Sequence, residues 1–495
     1  MDHFAFLPVP PCGMPAMTGP LEHPKISSGP DDNDQSGPDL SGIGSTGPGN
    51  PEPRGPGGPS GPGPGGPGAP GQGVLSAQIC IENGSICREK TGARFCDFPA
   101  GEIAGVNISS AEPELVGLYV KGKNSNALLR DSCISLSGPG ADDFSGVGAA
   151  VLCEDGAKLE LRNVHIDTAG IIRCCTTATD HSVLRVYDSV LSSVGGNVPA
   201  NYQPRGPMCH PPQPLGITGD CRTHLTMNNS ESYFYDSIIR ARSWGALSTD
   251  SSMGYVYLEV NRCTVETLED GYCAYADGGC HDVFRDCQIH SAAMGIIVAG
   301  DATATFQNTK VKCRTNLAMI HSVMGTKPVI SELDVVGCRV ETEGPVILVK
   351  SANTAITISG GGLVSKEGIL IRSVVNDDKN ATKVLPGQTL YGINIRLADG
   401  EYTGDILHGD SARTMALVLK DAVLTGAIQN AHLTVGPGGK WFASGDSTVC
   451  LVHIDTTDGI DADIGTTIHA VPGESCVLRG KYVLPSGGIL DVRPM

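Results

Sequence analysis

Five polar residues recur behind successive apolar runs. Asp250, Asp277, Asp301, His321 and Lys350 lie 5, 6, 6, 5 and 6 positions after Gly245, Gly271, Gly295, Asn316 and Gly344. If those runs are stacked strands, the side chains form a ladder along one edge, with neighbours about 5 Å apart. Two carboxyls that close resist joint ionisation, so one is held neutral and can donate a proton while the other accepts one. General acid–base chemistry has this requirement, which makes Asp277, Asp250, Asp301 and His321 the catalytic candidates. A separation of roughly 5 Å also suits the nucleophile and acid of a retaining glycoside hydrolase. Aspartates have a plainer use at strand ends, where they accept hydrogen bonds from nearby backbone amides.

Aromatic residues gather in the same stretch. Nine of the chain's 23 (Trp 2, Tyr 12, Phe 9) fall between Tyr233 and Phe284, which singles out these coils from the rest. Phe234 and Phe284 fit an internal stack. Trp244, Tyr255, Tyr257, Tyr272 and Tyr275 are the substrate-binding candidates, an outer wall suited to a sugar face or an apolar small molecule. Directly before them, segment 197–224, NVPANYQPRGPMCHPPQPLGITGDCRTH, is rich in Pro and Gly and is expected to wall a groove as a surface loop. Its Cys209, His210, Cys221 and His224 match no zinc spacing, so no metal is assigned, and no cofactor motif occurs. Arg173, with Arg240 and Arg242 near the same coils, is a candidate for holding an anionic group of a substrate.

Such residues need a scaffold that stacks them. A hexapeptide pattern of apolar, any, turn-former, small, any and aliphatic residues recurs ten times. The copies run from LRDSCI at Leu129 and LRNVHI at Leu161, through VNRCTV at Val260 and FRDCQI at Phe284, to LKDAVL at Leu419. Successive starts differ by 32, 25, 48, 26, 24, 22, 29, 23 and 61, a basic period near 24 with extra coils expected in the two long gaps. The sixth position is aliphatic in all ten copies, which predicts a continuous inward stack. The third is Asp, Asn or Gly in every copy except the one carrying Arg262, as expected for a corner with left-handed backbone. The fourth is small and includes Cys263, Cys287 and Cys338, read as packed free thiols.

Coils of this length, with short strands and no helix to cross over, define a parallel β-solenoid. From residue 113 to 430 the chain resembles the right-handed parallel β-helix, or pectin-lyase-like, superfamily, and its last coils resemble those of bacterial surface β-solenoids. The resemblance is architectural. It implies an all-β fold, a right-handed parallel β-helix with coils of about 24 residues. The Asn-Thr-Asp, Gly-His-Gly and Arg-Ile-Lys motifs of polygalacturonases are missing, as is the arginine-rich signature of pectate lyases, so neither activity follows. The expected organisation is a disordered Gly/Pro-rich arm over 1–74, an N-terminal cap over 75–112, the β-helix over 113–430 with its inserted loop 197–224, and C-terminal coils and cap over 431–495.

A net charge of −18 argues against nucleic acid and anionic membrane surfaces as partners. No run of about 18 apolar residues offers a membrane span. The opening MDHFAFLPVPPCGMPAMTGP lacks a basic leader, and 18 cysteines in so large a chain read as reduced thiols in the cytoplasm. The expected function is acid–base chemistry of isomerase, lyase or cyclase type on a small neutral or apolar molecule, in a groove on coils 233–321. A carbohydrate-active enzyme on a glycan substrate and a non-catalytic adhesive or scaffolding rod are the alternatives. A rod would spread aromatics evenly, so their clustering favours an enzyme. The sequence carries no signal for oligomeric state.

The arm has almost no apolar content and so cannot bury much surface. Deleting residues 1–73 is expected to move the thermal midpoint by no more than about 2 °C. Loss of the cooperative melting transition in the truncated chain would show instead that the arm packs on the solenoid.

Overall fold

The computed structural model describes residues 75–198, 210–250, 254–322, 329–378 and 391–493. Backbone contacts divide the chain into Met1–Gly63 and Pro64–Met495, and the described residues belong to the second unit. The arm over 1–74 lies outside them.

Each short Val-, Ile- and Leu-rich strand has two unpaired edges and one apolar face, and winding the chain satisfies both. The described residues form one wound sheet of 40 strands, in which each coil hydrogen-bonds in parallel to the next. The chain is a parallel β-helix. Every coil feeds three faces. Gly245–Asp250 lies in the first sheet, Val256–Asn261 in the second and Thr264–Thr267 in the third, and Tyr272–Asp277, Cys280–Arg285 and Gln288–Ser291 repeat the circuit in register. The winding already includes residues 77–110, whose strands pair with the following coil. An antiparallel hairpin stands at each end, Ala77–Glu82 with Ser85–Ile86 and Gly480–Val483 with Ile489–Val492.

The hexapeptide marks the corner between the second and third sheets. All ten third-position residues have positive φ, from 50° at Asp131 to 64° at Gly360, and Arg262 conforms at 51°. Its guanidinium is held by Asp236, the corner residue one coil earlier, at 2.8 and 2.7 Å. All ten sixth-position side chains are buried. Two further copies escape the pattern: Ile103 to Ile108, with its corner at Gly105, and Leu397 to Tyr402, with its corner at Asp399. The second supplies an extra coil in the 61-residue gap. The 48-residue gap holds none, because Val183–Tyr187 pairs directly with Glu231–Tyr235; loop 197–224 accounts for the length.

The fourth position is small for a reason beyond packing. Ser189, Ser237 and Thr309 each donate a hydroxyl hydrogen bond to the carbonyl two residues back, at 2.6, 2.7 and 3.0 Å. Each also accepts the backbone N–H of the same position one coil earlier, from Val164, Ser189 and Cys287. The thiols of Cys263, Cys287 and Cys338 donate in the same way, at 3.2, 3.2 and 3.4 Å. These cysteines are free and hydrogen-bonded.

His224 and Asp282 are titratable groups inside the solenoid. His224 bridges the hydroxyls of Thr176 and Thr226 at 2.8 and 2.7 Å, with Phe234 edge-on at 4.8 Å, and burial drives its pKa down to about 3. Asp282 occupies an inward row between Leu258 and Ala304. Its Oδ1 lies 2.9 Å from the Thr249 hydroxyl, which is also 3.1 Å from the Tyr275 carbonyl. The Thr249 hydroxyl proton is shared between these two acceptors. The Asp282 Oδ2 has no partner among the described residues, and burial raises the carboxyl pKa far above the ordinary carboxylate value. A raised pKa makes the contribution of Asp282 fully present below about pH 4, the unfolded value, and progressively lost as pH rises toward the folded value. Asp282→Asn is therefore expected to be more stable than the parent at pH 7–8, by about 1 kcal/mol or more in urea unfolding, with the gain vanishing near pH 4. A gain independent of pH would contradict a raised pKa at this position.

Candidate functional site

The first sheet carries the candidate ladder on its outer surface. Asp250 and Asp277 end adjacent strands as direct register partners, so their Cα atoms are one coil step apart, about 4.8 Å. The next positions in the row are Ala299, His321 and Lys350. Asp301 falls two residues past Ala299, in the exposed turn, and leaves the row. The physical cause is length: Met294–Ala299 ends its pairing at Ala299, and counting from Gly295 overshoots the strand. Asp301 acts on the pair only through its charge, which weakly supports the neutral form of Asp277.

The Asp277 carboxyl is perturbed. Burial pushes it up to about 7, the Asp250 carboxylate adds to the rise, and a hydrogen bond from the Tyr275 hydroxyl at 3.3 Å opposes it. Both aspartates are half-buried. His321, two coil steps from Asp277 across Ala299, is buried, and burial together with the Lys350 charge lowers its pKa to about 4. Its ring is therefore neutral at pH 7, and Nε2 has no partner among the described residues. Lys350 is tied to Asp377 and donates to the Pro214 carbonyl at 3.3 Å.

That last bond shows where the inserted loop goes. Leu215 and Ile217 are buried against Trp244, Tyr272, Met294, Ile297 and Met319, so the described part of the loop lies across the outer face of the first sheet. It straps this face, where a wall beside it was expected. The apolar residues of its PPQPLGI run have nothing else to cover, and the face beneath them is apolar. The loop's cysteine and histidines do not converge: His224 points into the solenoid, His210 is exposed, and the Cys221 thiol donates to the Arg173 carbonyl at 2.9 Å. Cys209 lies outside the described residues.

The aromatic candidates divide between two faces. Tyr272 and Tyr275 project from the first sheet beside Trp244, whereas Tyr257 projects from the second and stacks on Tyr255 at 6.4 Å and on His281 at 5.6 Å. Closeness in sequence misleads here because strands of one coil face different ways. Tyr255, 55% exposed, and Tyr257 therefore do not share the face of Asp277. Trp244 and Tyr272 lie on that face, as buried supports. The Tyr272 ring lies over Gly245, where any Cβ would collide with it, and its hydroxyl pairs with the Ser248 hydroxyl at 2.9 Å.

A buried pair missing from the sequence reading adjoins them. Arg222 is the register partner of Gly245, and its guanidinium lies between the rings of Phe144, at 4.9 Å, and Trp244, at 5.1 Å. It stands 3.8 Å from the Asp143 carboxylate, whose pKa burial lifts to about 7 against the pull of that charge. The only sequence signal was an arginine at the end of the inserted loop opposite a glycine in the next coil.

Arg173 is no substrate ligand. It is fully buried, and its guanidinium donates to the carbonyls of Gly138, Leu115, Gly148, Glu112 and Pro139 at 2.6 to 3.2 Å. Its five N–H donors fit a turn whose carbonyls face no strand. Arg240 is likewise engaged, by Glu266 at 2.8 Å.

No family model and no curated relative matches the chain. Among solved structures it is similar to the tailspike protein gp49 from Pseudomonas phage LKA1, at 13% identity and a TM-score of 0.38, over 74% of this chain and 53% of that one. The chain spans about half the length of that tailspike. No helix among the described residues is long and apolar enough to cross a membrane.

Arg173→Leu removes all five donors at once. It is expected to destabilise the fold by on the order of 3 kcal/mol or more in denaturant unfolding. Wild-type stability in this variant would return Arg173 to the list of ligand-binding residues.

Proposed function

We propose that the chain is an acid–base enzyme in which the Asp250–Asp277 pair moves a proton on a small, neutral, largely apolar substrate. The observation that carries this reading is the in-register carboxyl pair with one member raised to about pH 7. At that pH Asp277 is populated in both protonation states, which is the most effective condition for a general acid or base. Asp250 is the negative partner, able to stabilise positive charge on the substrate or to receive the proton. Tyr275 positions Asp277 through its hydroxyl, and neutral His321 lies along the same row, its Nε2 without a partner among the described residues. Isomerisation, elimination and cyclisation all fit such a site without a cofactor.

Cleavage of a glycan is a second reading, favoured by one feature. A single coil step of about 4.8 Å between the aspartates is close to the separation at which one carboxyl attacks while the other protonates the leaving group. The free thiols agree with a reducing, cytoplasmic setting.

The test screens purified protein against neutral terpenoid-like and phenolic small molecules and neutral oligosaccharides, following product by mass. Turnover is expected to fall roughly 10²- to 10⁴-fold in Asp277→Asn. The pH–rate profile of the parent should show an apparent pKa near 7 that this variant lacks. Asp286→Asn is the control, since that exposed corner residue stands where Asn163 and Asn308 stand in other coils. Equal turnover in Asp277→Asn and the parent would remove the pair from the mechanism.

A further inference from the structure

The end of the solenoid opposite the C-terminal hairpin carries a second constellation, unrelated to the carboxyl pair. Residues 77–86 form a hairpin whose turn is Asn83-Gly84, both with positive φ, 48° and 80°, the conformation that a two-residue type I′ turn requires. That turn fixes the register: Glu82 faces Ser85 and Ile81 faces Ile86, which places Cys80 directly opposite Cys87. The Cys87 N–H donates to the Cys80 carbonyl at 2.8 Å, so the two cysteines are a hydrogen-bonded cross-strand pair with side chains on one face. Glu82, two residues after Cys80 on the same strand, shares that face because strand side chains alternate.

Hairpin geometry alone therefore brings two thiols and a carboxylate together, and their donor atoms all lie within 4.8 Å of one another. Tetrahedral zinc with Zn–S bonds of about 2.3 Å needs sulfurs about 3.8 Å apart, so closing the set takes side-chain rotation of no more than about 1 Å. The backbone beneath is already fixed. The Thr91 hydroxyl accepts the Cys80 N–H at 3.0 Å and donates to the Cys80 carbonyl at 3.3 Å, outer-shell support of the kind that orients metal ligands. Cys80 is buried while Cys87 and Glu82 are half-buried, which leaves an open approach for the ion and a water in the fourth position. Lys90 pairs with one Glu82 oxygen at 3.4 Å and is itself partly exposed, so it can swing into solvent when a cation arrives.

We propose that Cys80, Cys87 and Glu82 bind a thiophilic divalent cation, Zn²⁺ in the first instance. Two sulfurs exclude the hard cations Mg²⁺ and Ca²⁺, which take oxygen ligands. Both thiols lose their protons to the solvent on binding, and the carboxylate supplies the remaining negative charge. The role is mechanical. Cys80 and Cys87 pack with Leu75, Tyr119 and Leu152 of the first coils, so the ion clamps together the two strands of a hairpin that already sits on the end of the stack, where a solenoid needs a cap.

The experiment uses the full chain, reduced and stripped with a chelator, then titrated with Co²⁺ and with Zn²⁺ alone. One equivalent of Co²⁺ is expected to give thiolate-to-cobalt absorption in the near ultraviolet, and one equivalent of Zn²⁺ should abolish it. Cys87→Ser should lose the band. Glu82→Gln should keep it with affinity weakened at least tenfold, and Cys133→Ser, on the third sheet, should match the parent. Wild-type melting curves would establish that the variants are folded. Absence of the band in the parent would overturn the proposal, as would its persistence in Cys87→Ser. A Cys80–Cys87 disulfide in protein isolated without reductant, mapped by mass, would also overturn it by assigning the pair to oxidation.

Discussion

Parallel pairing between coils is the constraint on which everything else depends. Because each strand hydrogen-bonds to the same strand one coil earlier, a residue's position in its coil determines the row it joins, and the row continues at about 4.8 Å per step. The corner keeps this bookkeeping exact. A left-handed residue at the third hexapeptide position turns the chain from the second sheet to the third, and the fourth-position hydroxyl or thiol satisfies an N–H of the coil before it. Were a corner to slip by one residue, the aliphatic sixth position would turn outward in that coil, and the inward stack from Ile103 to Trp441 would break.

The same constraint creates the candidate site. Stacking places like residues next to each other, which is harmless for Ile or Val and costly for Asp. Asp250 and Asp277 are held at one step by backbone pairing that neither side chain can relieve, so the Asp250 charge adds to the burial that raises the Asp277 pKa. Elsewhere the fold avoids this. Asp131 receives the Asn163 amide at 2.8 Å, and Asp236 receives Arg262. At Asp282, burial raises the carboxyl pKa far above the ordinary value against the pull of the Thr249 hydroxyl.

Rows and corners were legible in the sequence because they depend on local chemistry repeated many times. An Asp, Asn or Gly at one position and an aliphatic residue three later need no knowledge of the fold, and even Arg262 behaves as its position dictates. The Asp250–Asp277 adjacency was legible for the same reason. What escaped depends on direction or on long-range fit. Asp301 missed the row because one strand stops two residues short of it, and Tyr255 and Tyr257 face away from Tyr272 because the coil has three sides. Arg173 reads as a surface cation until its five carbonyl partners, up to 61 residues away, are seen. Arg222 is signalled only by the missing side chain of Gly245 in the next coil, and the strap formed by Leu215 and Ile217 only by the apolar face that it covers.

The claim that stacking itself tunes the carboxyl pair is open to direct measurement without any substrate. Carboxyl carbon chemical shifts in ¹³C-Asp-labelled protein, with the Asp277 signal assigned by its loss in Asp277→Asn, give the titration of that group. The account predicts an apparent pKa near 7 in the parent, falling in Asp250→Asn as the neighbouring charge is removed. A value near 4 in both proteins, the ordinary aspartate value, would contradict it.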